Sequence, residues 1–175
     1  NQGKFEEAIE AYKKAILLNP SYAQAYNNMG ATLKDQGKFE EAIEVYKKAI
    51  LLNPDYAEAY DNMGVALKNQ GKFEEAIEAY KKAILLKPVH AQVYYNMGNV
   101  LRDQLKLEEA IEYYSKSISL KPDYADAYNN MGLALHYQDK FQEAIEAYNK
   151  TLLLKPDYAE AHHNLSFTLL KSGRL

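Results

Sequence analysis

Apolar side chains recur every three or four residues along the chain, in two alternating kinds of segment. In the first kind, residues 23–36, the apolar stripe comprises Ala25, Tyr26, Met29 and Leu33. In the second kind, residues 39–52, it comprises Phe39, Ala42, Ile43, Tyr46, Ala49 and Ile50. This spacing places the apolar residues on one face of a helix. Each pair of segments therefore predicts a helical hairpin.

The ends of both helices are marked in the sequence. Gly37 follows the first segment and supplies a residue that readily adopts the left-handed backbone conformation after a helix. Asn53 and Pro54 end the second segment, because a proline disfavours helical geometry in the residue before it. The two segments are therefore predicted as separate helices joined by short turns.

The hairpin repeats with a period of 34 residues. The period is marked by Pro20, Pro54, Pro88, Pro122 and Pro156, and by Gly30, Gly64, Gly98 and Gly132, with Ser166 in the fifth place. The predicted repeats are 23–56, 57–90, 91–124 and 125–158, flanked by a second helix without its first (1–22) and a first helix without its second (159–175). Neither end has a polar capping helix, which such arrays normally need. We therefore expect the chain to be a piece of a longer protein.

Composition narrows the function classes. The chain has 175 residues, 47% of them hydrophobic and 26% charged, as in an ordinary soluble domain. Its net charge of −3 disfavours nucleic-acid binding, which normally needs a basic excess. The absence of cysteine fits a reducing compartment and favours the cytoplasm. No apolar run approaches the ~20 residues that span a bilayer and no signal peptide opens the chain, so we expect no membrane insertion.

No catalytic arrangement is visible. The sequence has no Gly-rich phosphate loop, no metalloprotease motif and no nucleophile elbow. His136 and His163 are two histidines without a carboxylate at ligand spacing, whereas zinc sites usually need three or four ligands. We therefore predict that the chain is not an enzyme and holds neither metal nor cofactor.

One asparagine per repeat lies two residues before the glycine position. This ladder consists of Asn28, Asn62, Asn96, Asn130 and Asn164. Asparagine is a mediocre helix former, so its recurrence within a helix indicates a role. Its amide both donates and accepts hydrogen bonds, which allows it to pair with the backbone of an extended peptide. The alternative is a hydrogen bond that joins neighbouring repeats, and the pattern does not decide between them.

Other positions on the same helices vary between repeats, as selectivity positions would. Residues before each ladder asparagine are Asn27, Asp61, Tyr95, Asn129 and His163, and those after each glycine position are Ala31, Val65, Asn99, Leu133 and Phe167. A basic row is formed by Lys34, Lys68, Arg102 and His136. This row is a candidate site for acidic side chains or a carboxylate of a partner. The alternative is that it only complements the negative end of the helix dipole.

The unit resembles the tetratricopeptide repeat. The matching residues are Tyr26, Met29, Gly30, Leu33, Ala42, Tyr46, Ala49 and Pro54. The resemblance implies a right-handed superhelix of stacked antiparallel helix pairs, with the first helix of each pair on the inner, concave surface. The ladder is also similar to that of the repeat region of the O-GlcNAc transferase family, where it implies backbone contacts to a substrate polypeptide.

The expected function is a protein–protein interaction scaffold that binds an extended or helical segment of a partner in the groove. Two alternatives remain open at this point. One is a substrate-presenting region of a larger glycosyltransferase-type enzyme. The other is a structural module that self-assembles head to tail, with residues 159–172 of one molecule against residues 5–18 of the next.

Overall fold

The computed structural model describes residues 2–173 and folds them into ten α-helices, with no strand among those residues. The helices are α1 (Gln2–Leu18), α2 (Ala23–Asp35), α3 (Phe39–Leu52), α4 (Ala57–Asn69), α5 (Phe73–Leu86), α6 (Ala91–Asp103), α7 (Leu107–Leu120), α8 (Ala125–Tyr137), α9 (Phe141–Leu154) and α10 (Ala159–Lys171). The predicted all-α fold of repeated helical hairpins is confirmed.

The chain forms two compact units, Asn1–Pro88 (unit 1) and Val89–Leu175 (unit 2). In unit 1, α2 packs against α3 and α4 against α5, while α2 and α4 also touch each other. In unit 2, α6 pairs with α7 and α8 with α9, and α8 also touches α6 and α10. We call α2, α4, α6, α8 and α10 the first helices, and α3, α5, α7 and α9 the second helices. The direct contact between neighbouring first helices places their polar residues next to one another.

The turn between the helices of a hairpin closes as predicted. Gly37 has a φ of 76°, and the amide of Lys38 donates a hydrogen bond to the carbonyl of Leu33 at 2.9 Å. Leu105 and Asp139 occupy the same turn position in unit 2, with φ values of 61° and 58°. Residues with a Cβ adopt this region at a cost, because Cβ crowds the backbone. The same turn therefore forms in unit 2 against the preference of its residues.

A tyrosine ring under each repeat glycine fixes how closely the two helices of a hairpin approach. Tyr46, Tyr80, Tyr114 and Tyr148 are almost fully buried. A Cβ added at Gly30 would lie 2.6 Å from Cε1 of Tyr46, well inside van der Waals contact. The repeat glycine therefore allows the two helices to pack closely. Ladder residues lie two positions before this glycine, so the contact also sets their place.

Candidate binding surface of the first helices

The ladder asparagines lie on the first helices, and their burial differs. Asn28, Asn62, Asn96 and Asn164 are half-buried, whereas Asn130 is only 9% exposed. Four of the five side chains therefore keep some surface. Their hydrogen bonds decide how much of each amide is available to a partner.

A ladder amide reaches back to the preceding first helix in both units. In unit 1, Nδ2 of Asn62 donates to Oδ1 of Asn27 at 3.1 Å. In unit 2, Nδ2 of Asn130 donates to the hydroxyl of Tyr95 at 3.1 Å. At the end of unit 2, Nδ2 of Asn164 donates to Oδ1 of Asn129 at 3.3 Å. Each bond spans 35 positions, so the ladder joins repeats through its amide nitrogens.

Three of the five residues that precede the ladder asparagines are enclosed between the helices, whereas His163 is exposed. Asn27 is 1% exposed, Asn129 is fully buried and Asp61 is 6% exposed. Tyr95 is half-buried, with its ring centroid 5.0 Å from that of Tyr124. The repeat pattern places these four residues among the selectivity positions of the groove. In the folded units, three of them present almost no surface to a partner.

The amide carbonyls distinguish the ladder positions from one another. Oδ1 of Asn28 accepts from Asn27 at 3.4 Å, and Oδ1 of Asn130 accepts from Asn129 at 3.4 Å. Asp61 stands before Asn62 and, as a carboxylate, has no proton to donate. Among residues 2–173, nothing donates a hydrogen bond to Oδ1 of Asn62. The side chain of Asn62 is therefore held in place by its nitrogen and keeps its oxygen as an acceptor.

Asn99 closes a polar network in unit 2 that the sequence pattern did not predict. Its Oδ1 accepts from Nδ2 of Asn130 at 2.8 Å and from the hydroxyl of Tyr114 at 2.9 Å. Burial raises the pKa of Tyr95 and of Tyr114, so both phenols stay protonated at neutral pH. Equivalent positions hold Ala31, Val65 and Leu133, none of which can make such bonds. Asn99 therefore links side chains within unit 2, and its role as a groove contact stays a prediction.

A further link between repeats comes from the tyrosine just before a first helix. In unit 2, the hydroxyl of Tyr124 donates to Oε1 of Gln92 at 2.7 Å, and that of Tyr158 donates to Oδ1 of Asp126 at 2.8 Å. Burial raises the pKa of Tyr158, and the bond to Asp126 raises it further. The recurrence of tyrosine one residue before a first helix was the available sequence signal. Its bonding partner could not be deduced, because it lies in another repeat.

The basic row is partly neutralised by neighbouring carboxylates. Nζ of Lys34 lies 3.0 Å from Oδ1 of Asp35, and Nη2 of Arg102 lies 2.9 Å from Oδ1 of Asp103. The side chains of Lys34 and Arg102 are only 24% and 22% exposed, and Lys68 is likewise half-buried. An incoming carboxylate would therefore have to compete with an existing ion pair at positions 34 and 102.

Comparison with known proteins identifies the repeat. Family models of the TPR repeat match residues 1–37, 30–71, 66–104 and 98–139, and a model of the tetratricopeptide repeat matches residues 125–158. The chain belongs to the tetratricopeptide repeat (TPR) family. Its fold is accordingly the all-helical TPR solenoid predicted from the repeat. A search of curated proteins gives no significant match.

Three solved structures illustrate the likeness of this TPR chain to others. A crystal structure of MamA is 35% identical over 91% of this chain and 93% of that chain, with a TM-score of 0.82. YrrB, described as a TPR protein with an unusual peptide-binding site, is 25% identical over 95% of this chain and 86% of that chain, with a TM-score of 0.78. Cut9, from the APC/C hetero-tetramer Cut9–Hcn1, is 22% identical over 97% of this chain and 34% of that chain, with a TM-score of 0.82, and shares the fold.

The family and its neighbours support a role as a protein-interaction scaffold. No group of three or more His, Asp or Glu residues within 2–173 is arranged to hold a metal ion. Over the same residues, no helix of this TPR chain combines the length and apolarity needed to span a membrane.

Proposed function

We propose that unit 1 binds an extended segment of a partner polypeptide on the surface formed by α2 and α4, which we call the first-helix face. The contact is made to the backbone of the partner, with Asn62 at its centre. The supporting observation is the unused Oδ1 of Asn62. The bond from Nδ2 to Asn27 fixes the orientation of the amide before a partner arrives. An acceptor held in advance loses little conformational entropy on binding, which favours affinity.

Recognition of a backbone amide would make the contact tolerant of the partner's sequence. Selectivity would then come from side chains on the same helix face. Val65 lies three residues after Asn62 and is half-buried, which leaves room for an apolar side chain of the partner. Lys34, near the end of α2, is already paired with Asp35, so an acidic side chain of the partner would have to displace that carboxylate. A partner segment with small apolar residues fits this surface best.

The relatives support this proposal in general terms. YrrB is described as having a peptide-binding site, and it shares the fold of this chain over most of its length. The similarity of the ladder to that of the O-GlcNAc transferase family points in the same direction and stays a prediction. The alternative that this chain presents substrates to a catalytic domain also stays a prediction.

Peptide selection followed by affinity measurement tests the proposal. Peptides of twelve random residues displayed on phage are selected on the immobilised chain, and the best binder is labelled for fluorescence anisotropy. Loss of one hydrogen bond is worth about 0.5–1.5 kcal/mol, so Asn62→Ala should weaken binding about threefold to tenfold. The control Asn149→Ala makes the same change at an exposed position of α9 and should bind as the unmodified chain does. Equal affinity of Asn62→Ala and the control, with unchanged helicity, would overturn the proposal.

A further inference from the structure

Exposed leucines recur near the carboxyl-terminal ends of α1, α3 and α5 in unit 1, which hold equivalent positions in consecutive repeats. One leucine of each helix is between 71% and 81% exposed, and α1 and α3 each add a neighbouring exposed leucine. We call this set the leucine edge, and it consists of Leu17, Leu18, Leu51, Leu52 and Leu85. Single exposed apolar residues are ordinary on protein surfaces, whereas a set that repeats along one edge indicates an interaction surface.

The fold does not require leucine at these positions. The residue of α7 that is equivalent to Leu17, Leu51 and Leu85 is Ser119, which is exposed. Its hydroxyl donates a hydrogen bond to the carbonyl of Lys116 in the same helix at 2.8 Å. Helix α7 nevertheless packs against α6 and α8, as α3 packs against α2 and α4. Packing of the repeats therefore does not explain the leucines of unit 1.

Lysines give the leucine edge a positive charge. Three residues before the exposed leucine, on the same face of each helix, lie Lys14, Lys48 and Lys82. All three are exposed, and no ion pair within residues 2–173 involves any of them. The preceding lysine of each helix adds no net charge, because its Nζ lies 2.8 Å from a glutamate Oε1 in the pairs Lys13–Glu10, Lys47–Glu44 and Lys81–Glu78.

The other charged residues near this edge leave the balance positive. Asp55, in the turn after α3, and Glu58, in the first turn of α4, are negative, whereas Lys87 after α5 is positive. The turn after α1 contains no charged residue. The remaining glutamates of α1, α3 and α5 lie about three helical turns before the leucines. The leucine edge is therefore a positive region on a chain whose net charge is −3.

Exposure and charge together favour a lipid surface with anionic headgroups as the partner. Side chains that are mostly exposed project from the protein, whereas the strongest contacts between proteins fill well-packed pockets. A fluid bilayer adapts to projecting apolar side chains, and anionic headgroups attract lysines. Two leucine edges placed face to face would bring their lysines together, which opposes self-association through this surface.

We propose that unit 1 binds peripherally to anionic membranes through the leucine edge. The leucine side chains enter the boundary between headgroups and acyl chains, while Lys14, Lys48 and Lys82 contact the headgroup phosphates. Tyr22, which is 45% exposed in the turn after α1, adds an aromatic side chain of the kind enriched at such boundaries. This contact needs no membrane-spanning helix, and it does not depend on the function proposed for the first-helix face.

Vesicle flotation tests the proposal on the unmodified chain. The vesicles consist either of phosphatidylcholine alone or of phosphatidylcholine and phosphatidylglycerol in equal parts, and the bound fraction is measured over a range of lipid concentrations. Affinity should be about tenfold or more higher for the vesicles that contain phosphatidylglycerol, and it should fall as salt is raised. Absence of binding, or equal binding to both kinds of vesicle, would overturn the proposal.

Two variants separate the apolar from the electrostatic part of the contact. The first gives each helix the serine that α7 has at position 119, by the changes Leu17→Ser, Leu51→Ser and Leu85→Ser. It should weaken binding about tenfold or more, because less apolar area enters the lipid. The second removes the positive charges by the changes Lys14→Gln, Lys48→Gln and Lys82→Gln. It should weaken binding by a similar factor and remove most of the salt dependence.

A leucine outside the edge provides the matched control. Leu105 is 78% exposed in the turn between α6 and α7, so Leu105→Ser removes a similar exposed side chain from another surface. It should bind vesicles as the unmodified chain does. Circular dichroism establishes that all variants remain helical. Unchanged binding of the folded leucine variant, or an equal loss in Leu105→Ser, would overturn the assignment of the contact to the leucine edge.

Discussion

Units 1 and 2 share one repeat, but the equivalent ladder residues Asn62 and Asn130 form different hydrogen bonds. In unit 1, Asn62 donates one hydrogen bond to Asn27 and keeps its carbonyl oxygen open. In unit 2, Asn130 donates to Tyr95 and Asn99, accepts from Asn129, and is nearly buried. The difference follows from the neighbouring residues, because Asp61 cannot donate where Asn129 does. We therefore propose that the ladder residue serves binding at Asn62 and stability at Asn130.

The largest effect that tests this comparison is on folding stability. Asn130→Ala removes three hydrogen bonds, those with Tyr95, Asn99 and Asn129, at a nearly buried position. Each bond is worth about 0.5–1.5 kcal/mol, so we expect the free energy of unfolding to fall by about 2–3 kcal/mol. Asn62→Ala breaks a single half-buried bond and should cost about 1 kcal/mol or less. Urea unfolding followed by circular dichroism measures both, and equal losses would break the comparison.

Both units contain the close contact between a repeat glycine and a tyrosine, so a substitution at that glycine should destabilise both units to a similar extent. A Cβ at Gly64 would lie 2.6 Å from Tyr80, and one at Gly132 would lie 2.8 Å from Tyr148. Alanine at either position overpacks the hairpin, and we expect a loss of about 1–3 kcal/mol in thermal or urea unfolding. Gly3→Ala is the control, because nothing lies within 4 Å of that position and alanine is the better helix former. A stable Gly64→Ala variant would show that the tyrosine moves aside.

The turn after a first helix also differs between the units, and here the residue of unit 2 is the less favourable one. Leu105 is 78% exposed and has a φ of 61°, so its side chain contributes little contact to offset its backbone strain. Leu105→Gly should raise the free energy of unfolding of unit 2 by about 1 kcal/mol. Gly71→Ala makes the reverse change in unit 1 and should cost a similar amount. Thermal melts of the two variants should shift in opposite directions, and a shared direction would contradict the argument.

The smallest effect is a pH dependence confined to unit 2. Nδ1 of His136 lies 2.8 Å from Oγ1 of Thr168, and the ring lies against Phe141 and Phe167. Burial lowers the pKa of His136, nearby Lys171 lowers it further, and Asp139 opposes them. The unfolded chain therefore takes up this proton at higher pH, so stability falls as pH drops below the ordinary histidine value.

Substitution of His136 separates its contribution to the pH dependence of stability from that of the other titrating groups. His136→Gln removes the titration and should lose less stability than the unmodified chain between pH 7 and pH 5. Urea midpoints at the two pH values provide the comparison. An equal loss in both proteins would show that protonation of His136 does not oppose folding.

Much of the fold could be predicted because it depends on local spacing. The second helix predicted at 39–52 is α3, and α2 ends at Asp35, one residue before the predicted end. Gly37 has the positive φ that its place after the helix requires. The same conformation at Leu105 could not be predicted, because it depends on neighbouring helices that override a local preference. The right-handed superhelix and the head-to-tail contact through residues 5–18 and 159–172 stay predictions.

The candidate site was harder to predict, because its chemistry is set between repeats. The period identified the ladder and its place on the first helix of each repeat. Periodicity could not show whether the nitrogen or the oxygen of each side-chain amide forms a hydrogen bond within the protein. Whether Oδ1 is occupied depends on the preceding residue. Asn129 donates a hydrogen bond to Asn130, whereas Asp61 cannot donate one to Asn62. Enclosure of Asn27 and Asn129 likewise arises from the contact between neighbouring first helices, which no single repeat contains.

The most direct test observes the side-chain amides themselves. A ¹H–¹⁵N spectrum of the chain resolves the Nδ2 protons of Asn62 and Asn130, assigned from the Asn62→Ala and Asn130→Ala variants. On addition of the selected peptide, we predict that the Asn62 signals shift while the Asn130 signals stay in place and exchange slowly with solvent. Shifts at Asn130 with none at Asn62 would contradict the division of roles between the two units.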